Sequence, residues 1–245
     1  MSAFFGPSLR TSRFALLALV ATSACVDSGR APSSGQAVAP AAPIGPDAAG
    51  PVRFLALGDS FTIGTGGAPG ESFPARLAGR WRAKGCAVTL ENVAVNGFTS
   101  DDVIHVELPS IASFHPTFVS VAVGANDIVQ GRSLEAYRES VRRILDAART
   151  SGARVVVLPQ PDWSRSPSAA TFGTQAALAE SIGRFNAALA AEARAKGTEW
   201  VDLAPLMLEQ ASKGMLANDG LHPSSSAYDE WAAELARLLS SPCSP

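Results

Sequence analysis

The sequence predicts an α/β fold: a three-layer α/β/α sandwich, flavodoxin-like, built on a five-stranded parallel sheet. Three observations carry this expectation. Short apolar runs alternate with longer amphipathic or Ala-rich stretches across residues 52–241, as in repeated strand–helix units. The runs are apolar almost without interruption, as strands buried on both faces are. The composition, 47% hydrophobic and 17% charged, suits a packed core and not a disordered chain.

The elements follow in order. Val52–Leu57 (VRFLAL) is the first strand, ending at Gly58. Ser72–Lys84 carries Phe73, Leu77 and Trp81 at helical spacing. Ala87–Val95 is the second strand. Thr99 or Ser100 caps a helix running to about Ala112, with Asp101 and Asp102 in its first turn, where the helix dipole favours acids. Thr117–Val123 is the third strand, and Ser133 caps a helix to about Thr150. Arg154–Leu158 is the fourth strand, followed by a long Ala-rich helix, Thr174–Lys196, stopped by Gly197. Glu199–Leu203 is the fifth strand, and Pro223–Ser240 the last helix, with Pro223 near its first turn. In such a sheet, ligands sit outside the carboxyl ends of the strands.

The first fifty residues read differently. Residues 1–24 have the form of an export signal: Arg10 and Arg13, then the apolar run Phe14–Ala21, then small residues before Cys25. The apolar run is too short to span a bilayer. Cys25 stands where a bacterial lipoprotein carries its lipid, in a stretch resembling a lipobox with Thr22 in place of the usual Leu or Val. Lipidation, or plain cleavage and release, are the two readings. Residues 25–51 are rich in Ala, Pro and Gly and lack periodicity, the composition of a flexible linker. The expected protein is therefore exported, in a bacterial cell envelope, either lipid-anchored at Cys25 or periplasmic or secreted.

Charge and rare residues exclude several classes. Twenty basic and 22 acidic residues give a formal charge of −2, without the basic excess of a nucleic-acid binder. Three cysteines are too few for a disulfide scaffold, and His105, His115 and His222 lack the spacing of a zinc site. No metal or organic cofactor is expected. The Gly64–Gly70 stretch fails both the P-loop and the dinucleotide pattern; it reads as a flexible rim.

Four short motifs fall at the carboxyl edge of the expected sheet: Gly58-Asp59-Ser60, Asn96-Gly97, Gly124-Ala125-Asn126-Asp127 and Asp219-Gly220-Leu221-His222. Each alone is a common turn. Together and in this order they resemble the SGNH hydrolases, the GDSL esterase/lipase family, over about residues 52–240, with Phe61 where the family name has Leu. The chemistry is consistent with that resemblance. Ester hydrolysis needs a nucleophile, a base to activate it and donors for the oxyanion. The resemblance implies Ser60 as nucleophile, His222 as base and Asp219 as its orienting carboxylate. It implies an oxyanion hole from the Ser60 and Gly97 N–H groups and the Asn126 amide. Asp59 and Asp127 adjoin these residues but read as loop-holding groups that accept backbone N–H donors. His105 and His115 read as structural or solvated. No Gly-x-Ser-x-Gly nucleophile elbow is present.

Phe61, Ile63, Phe98 and Ile128 flank the motifs and either wall an acyl pocket or pack beneath the loops. Residues 159–172 form a long connection, of the kind that makes lids and specificity elements, and Trp163 is its largest side chain. Cys86 and Cys243 fall on the edge opposite the motifs, where export permits a disulfide; otherwise Cys86 is a buried small hydrophobe.

The expected function is a serine esterase that acts, through an acyl-enzyme, on a small or medium acyl ester or a lysophospholipid. Its partner is that small-molecule substrate, with no nucleic acid and no membrane contact beyond a possible N-terminal anchor. An acyltransferase or deacetylase acting on envelope polysaccharide is the alternative, and a non-catalytic binding protein on the same scaffold the third reading. The oligomeric state is left open.

Overall fold

The computed structural model describes residues 50–243; the expectations for the export signal, for Cys25 and for nearly all of the linker lie outside them. Strand β1 (Val52–Gly58) is the second strand of a five-stranded sheet of order β2-β1-β3-β4-β5. The other strands are β2 (Val88–Asn92), β3 (Phe118–Ala122), β4 (Arg154–Val157) and β5 (Glu199–Trp200); β1 pairs with β2 and β3, β3 with β4 and β4 with β5, and every pairing is parallel. The doubly wound sandwich expected from the sequence is thus the fold observed.

Alternation along the strands divides the core into two layers, because successive strand side chains point to opposite faces. Phe54 and Ala56 face one side and pack with Phe73, Leu77 and Trp81 of α2 (Phe73–Ala83) and with Tyr228 and Trp231 of α9 (Ser225–Leu238). Phe54, Trp81 and Phe118 meet edge-on or tilted, with ring centroids 5.0–5.8 Å apart, the geometry aromatic quadrupoles favour. Leu55 and Leu57 face the other side, against Tyr137 and Ile144 of α6 (Leu134–Thr150) and Leu189 of α7 (Gln175–Ala195). Glu192 of α7 fastens these two helices, accepting from Arg138 Nε at 2.9 Å and Arg142 Nε at 3.1 Å.

Helix starts fall where capping chemistry places them. Ser72, Ser133, Thr174 and Ser224 each accept the N–H three residues on. Pro223 therefore lies just outside the last helix and not in its first turn. The second strand is shorter than the expected Ala87–Val95.

The second helix departs most from expectation. In place of one helix to Ala112, the chain forms α3 (Ser100–Asp102), a π-turn over Val103–Glu107 and α4 (Pro109–Phe114). Thr99 and Asp102 cap the start reciprocally. Pro109 has no N–H to continue the ladder, and Leu108 N–H reaches back five residues to Val103 O at 3.0 Å. The fifth strand is also shorter than the expected Glu199–Leu203. Asp202 Oδ1 accepts Ala204 N–H at 2.9 Å and turns the chain into α8 (Ala204–Ser212), a helix the sequence reading lacks.

Cys86, just before β2, is bonded to Cys243, past the end of α9, with Cα atoms 5.6 Å apart. Both lie at the amino edge of the sheet.

Candidate active site

Register brings the first and third motifs together. Gly58 pairs with Ala122, so β1 and β3 end level and release their chains side by side. After β1 the chain enters α1 (Ser60–Ile63), a single turn whose N-cap Asp59 accepts Phe61 N–H at 3.0 Å. Ser60 is its first residue and is 7% exposed. After β3 comes α5 (Ala125–Val129), which carries Asn126. Asn126 Nδ2 donates to Phe98 O at 3.0 Å, leaving one amide hydrogen of that nitrogen for another acceptor.

Gly97 follows β2 with φ +83°, a left-handed conformation that a side chain would strain. Among the described residues, the Gly97 and Ser60 N–H groups have no hydrogen-bond partner. The Ser60 hydroxyl has none either.

The fourth motif is a tight carboxylate–imidazole unit. Asp219 Oδ2 lies 2.7 Å from His222 Nδ1, and Asp219 Oδ1 accepts the Leu221 and His222 N–H groups at 2.9 and 3.0 Å. Partial burial works to raise the Asp219 carboxyl, but those N–H donors and the imidazole outweigh it and hold it below the usual carboxylate value. The His222 ring packs tilted on Phe61, with centroids 5.3 Å apart.

These pieces face one cavity of about 200 Å³. It is lined by Ser60, Gly97, Asn126 and His222, and by Phe61, Ala125 and Trp163. Asp219 stands behind the imidazole and does not line the cavity. Thr65, Asn96, Val129, Phe172 and Leu221 complete the wall. The sequence reading gave none of these five a role of its own, although Asn96 and Leu221 lie inside two of the motifs, Thr65 in the Gly64–Gly70 rim, Phe172 in the loop after β4 and Val129 two residues past the third motif. Two 3₁₀ turns, Trp163–Arg165 and Pro167–Thr171, give that loop its form. Trp163 is buried, donates to Gln160 Oε1 at 3.2 Å and meets Phe172 edge-on.

Three proposed wall residues lie elsewhere. Ile63 turns away into a neighbouring surface depression. Ile128 packs against both core layers. Phe98 contributes its carbonyl to Asn126, and its ring is not among the cavity's walls. In each case the helical or turn geometry of the motif sends adjacent side chains in different directions.

The Gly64–Gly70 stretch rims the site, with Thr65 lining the cavity and Gly66 packed against the His222 loop. Tyr228 Oη donates to Thr65 O at 2.9 Å. A Cβ on Gly66 would stand 2.6 Å from Ala217 Cβ and 2.8 Å from Pro223 O, so only glycine lets this loop pack against the His222 loop.

Asp59 and Asp127 are buried behind the site. Asp127 accepts Ser100 N–H at 2.9 Å and Ser100 Oγ at 2.6 Å, with Arg132 Nε 3.1 Å away. Burial nevertheless raises its carboxyl above the usual value. His105 is exposed, and His115 caps α4 in a left-handed conformation. Among the described residues no group of three or more His, Cys, Asp or Glu is placed to hold a metal ion.

Comparison with known proteins places the chain in a family. Residues 56–230 match the model of the GDSL-like lipase/acylhydrolase family. The chain is 27% identical over 190 residues to an Escherichia coli K12 protein named thioesterase 1/protease 1/lysophospholipase L1, covering 76% of this chain and 82% of that one. It is 26% identical over 188 residues to an arylesterase of Vibrio mimicus, covering 74% and 84%. Among solved structures, the psychrotrophic esterase EstA from Pseudoalteromonas sp. superposes with a TM-score of 0.62 at 19% identity, over 76% of this chain and 94% of that one.

Proposed function

Since this chain belongs to the GDSL-like lipase/acylhydrolase family, we propose that it is a serine esterase that cleaves short to medium acyl esters through an acyl-enzyme. The observation that carries the reading is a buried-edge serine sharing one cavity with an imidazole whose far nitrogen is held 2.7 Å from a carboxylate. His222 takes the Ser60 proton as Ser60 Oγ attacks the acyl carbon. The resulting oxyanion is bound by the Ser60 and Gly97 N–H groups and by the free hydrogen of Asn126 Nδ2. His222 returns the proton to the leaving alcohol. A water activated by the same imidazole then releases the acid. Asp219 fixes the tautomer and favours the imidazolium that forms transiently.

Cavity size bears on the substrate. The cavity is small, about 200 Å³, which favours a short acyl group over a long chain. Its walls toward Phe61, Val129, Trp163 and Phe172 are apolar, as an alkyl chain requires. The His222 side chain keeps 14% exposure where it lines the cavity, so the base is open to the water that hydrolysis requires.

The test is hydrolysis of p-nitrophenyl acetate, butyrate, octanoate and palmitate beside Ser60→Ala. Expected is a preference for the shorter chains that vanishes in the variant. Activity retained by Ser60→Ala overturns the mechanism, and acylated sugar as the main product overturns hydrolysis. For the N-terminal segment we propose export with a lipid on Cys25; Cys25→Ala should then move the protein from the membrane fraction to the soluble envelope fraction.

A further inference from the structure

Two carboxyl groups behind Ser60 have no part in the acyl-transfer steps, and among the described residues no cation pairs with either. Asp59 is 1% exposed and Glu107 is fully buried. Both hold the turn that carries the nucleophile. Asp59 Oδ1 accepts Phe61 N–H at 3.0 Å, and Glu107 Oε2 accepts Gly58 N–H at 2.8 Å. Glu107 reaches β1 from the last residue of the π-turn, across 49 positions of sequence. Asp59 Oδ2 and Glu107 Oε1 are buried without any hydrogen-bond partner.

A carboxylate in such a place is an uncompensated buried charge, whereas a carboxylic acid is only a buried polar group. A proton on Oε1 also makes one of the two unsatisfied oxygens a donor. The position matters for catalysis because the Ser60 N–H aims at a developing negative charge, and a second negative charge in the same low-dielectric region opposes it.

We propose that Glu107 is a positioning residue of the nucleophile turn and serves as a neutral acid, its Oε2 fixing the Gly58 peptide while its lack of charge leaves the oxyanion site unopposed. The proposal rests on the reading of Ser60 as nucleophile. The charged groups that act on it are Asp59 of the turn after β1 and Asp102 of α3. Burial is the main cause that pushes the Glu107 carboxyl up to about 8, with Asp59 and Asp102 adding to it against the Gly58 hydrogen bond. Burial likewise carries Asp59 to about 7.

The experiment compares wild type, Glu107→Gln and Glu107→Leu. With p-nitrophenyl butyrate, wild-type kcat should fall as pH rises through 8. Glu107→Gln keeps an acceptor for Gly58 and has no charge of its own to gain, so it should match wild type below pH 8 and fall less steeply above it, only the Asp59 charge remaining. Glu107→Leu leaves the Gly58 N–H unpaired and should lose about tenfold in kcat at every pH, with KM little changed. A Gln variant as impaired as Leu, a Gln variant with the wild-type alkaline fall, or a fully active Leu variant each overturns the proposal.

Thermal unfolding without substrate supplies the second readout. The folded carboxyl titrates near 8 and the unfolded one near 4.5, so the wild type carries a destabilisation that develops between those pH values. The Tm of Glu107→Gln relative to wild type should rise across that window; parallel curves overturn the neutral acid. A wild type inert toward every ester, with the unfolding result as expected, overturns the nucleophile reading and the positioning role with it, while leaving Glu107 neutral.

Discussion

At the scale of single residues, the site separates groups that react from groups that aim them. Asn126→Ala should lower kcat by about 10²–10³, the usual loss for one oxyanion donor, measured against p-nitrophenyl butyrate with KM nearly unchanged. Asp219 supplies a pH prediction. Its carboxyl is held below the ordinary value by two backbone N–H groups and the imidazole. It therefore stays ionised from about pH 5 to 9, and Asp219→Asn should lower kcat across that whole range, by about 10⁴. A variant impaired at only one end of that range would mean that the Asp219 charge changes within it. The residues proposed for these roles are legible in the sequence because each lies inside a short motif. Glu107 is not, though a signal exists: it is a charged residue on the apolar stripe Val103, Ile104, Leu108, Ile111.

Elements decide what the motifs alone leave open. The loop after β4 brings Trp163 and Phe172 to the cavity although they lie about a hundred residues from Ser60 in sequence. Phe172→Ala removes one apolar wall and should shift the preferred p-nitrophenyl ester toward octanoate; an unchanged chain-length profile would refute that role. The helix starts at Ser72, Ser133 and Thr174 are readable because capping is local chemistry. The break at Pro109 and the turn into α8 are harder. An apolar stripe continues through the first, and an apolar stretch reads equally as strand or helix in the second. The loss of side-chain direction at Ile63, Phe98 and Ile128 has the same origin, since adjacency in sequence does not fix which way a turn points a side chain.

For the whole molecule, stability and catalysis are anchored at opposite edges of the sheet. The Cys86–Cys243 bond spans 157 positions and constrains the unfolded chain far more than the folded one. Cys86→Ser with Cys243→Ser should lower unfolding free energy by about 2–4 kcal/mol, read by denaturant melts, with kcat unchanged at temperatures where both forms are folded. A change in kcat there would mean that the bond shapes the cavity.

The disulfide edge has a further use. Val52 donates to Ala87 O at 2.8 Å, and Ala87 follows the cysteine bonded to Cys243. Both ends of the catalytic domain therefore emerge together, on the side away from the cavity mouth. A support, a fusion partner or a display scaffold coupled at either end would leave the mouth facing the medium. An immobilised preparation should accordingly keep its turnover number whichever terminus is tethered.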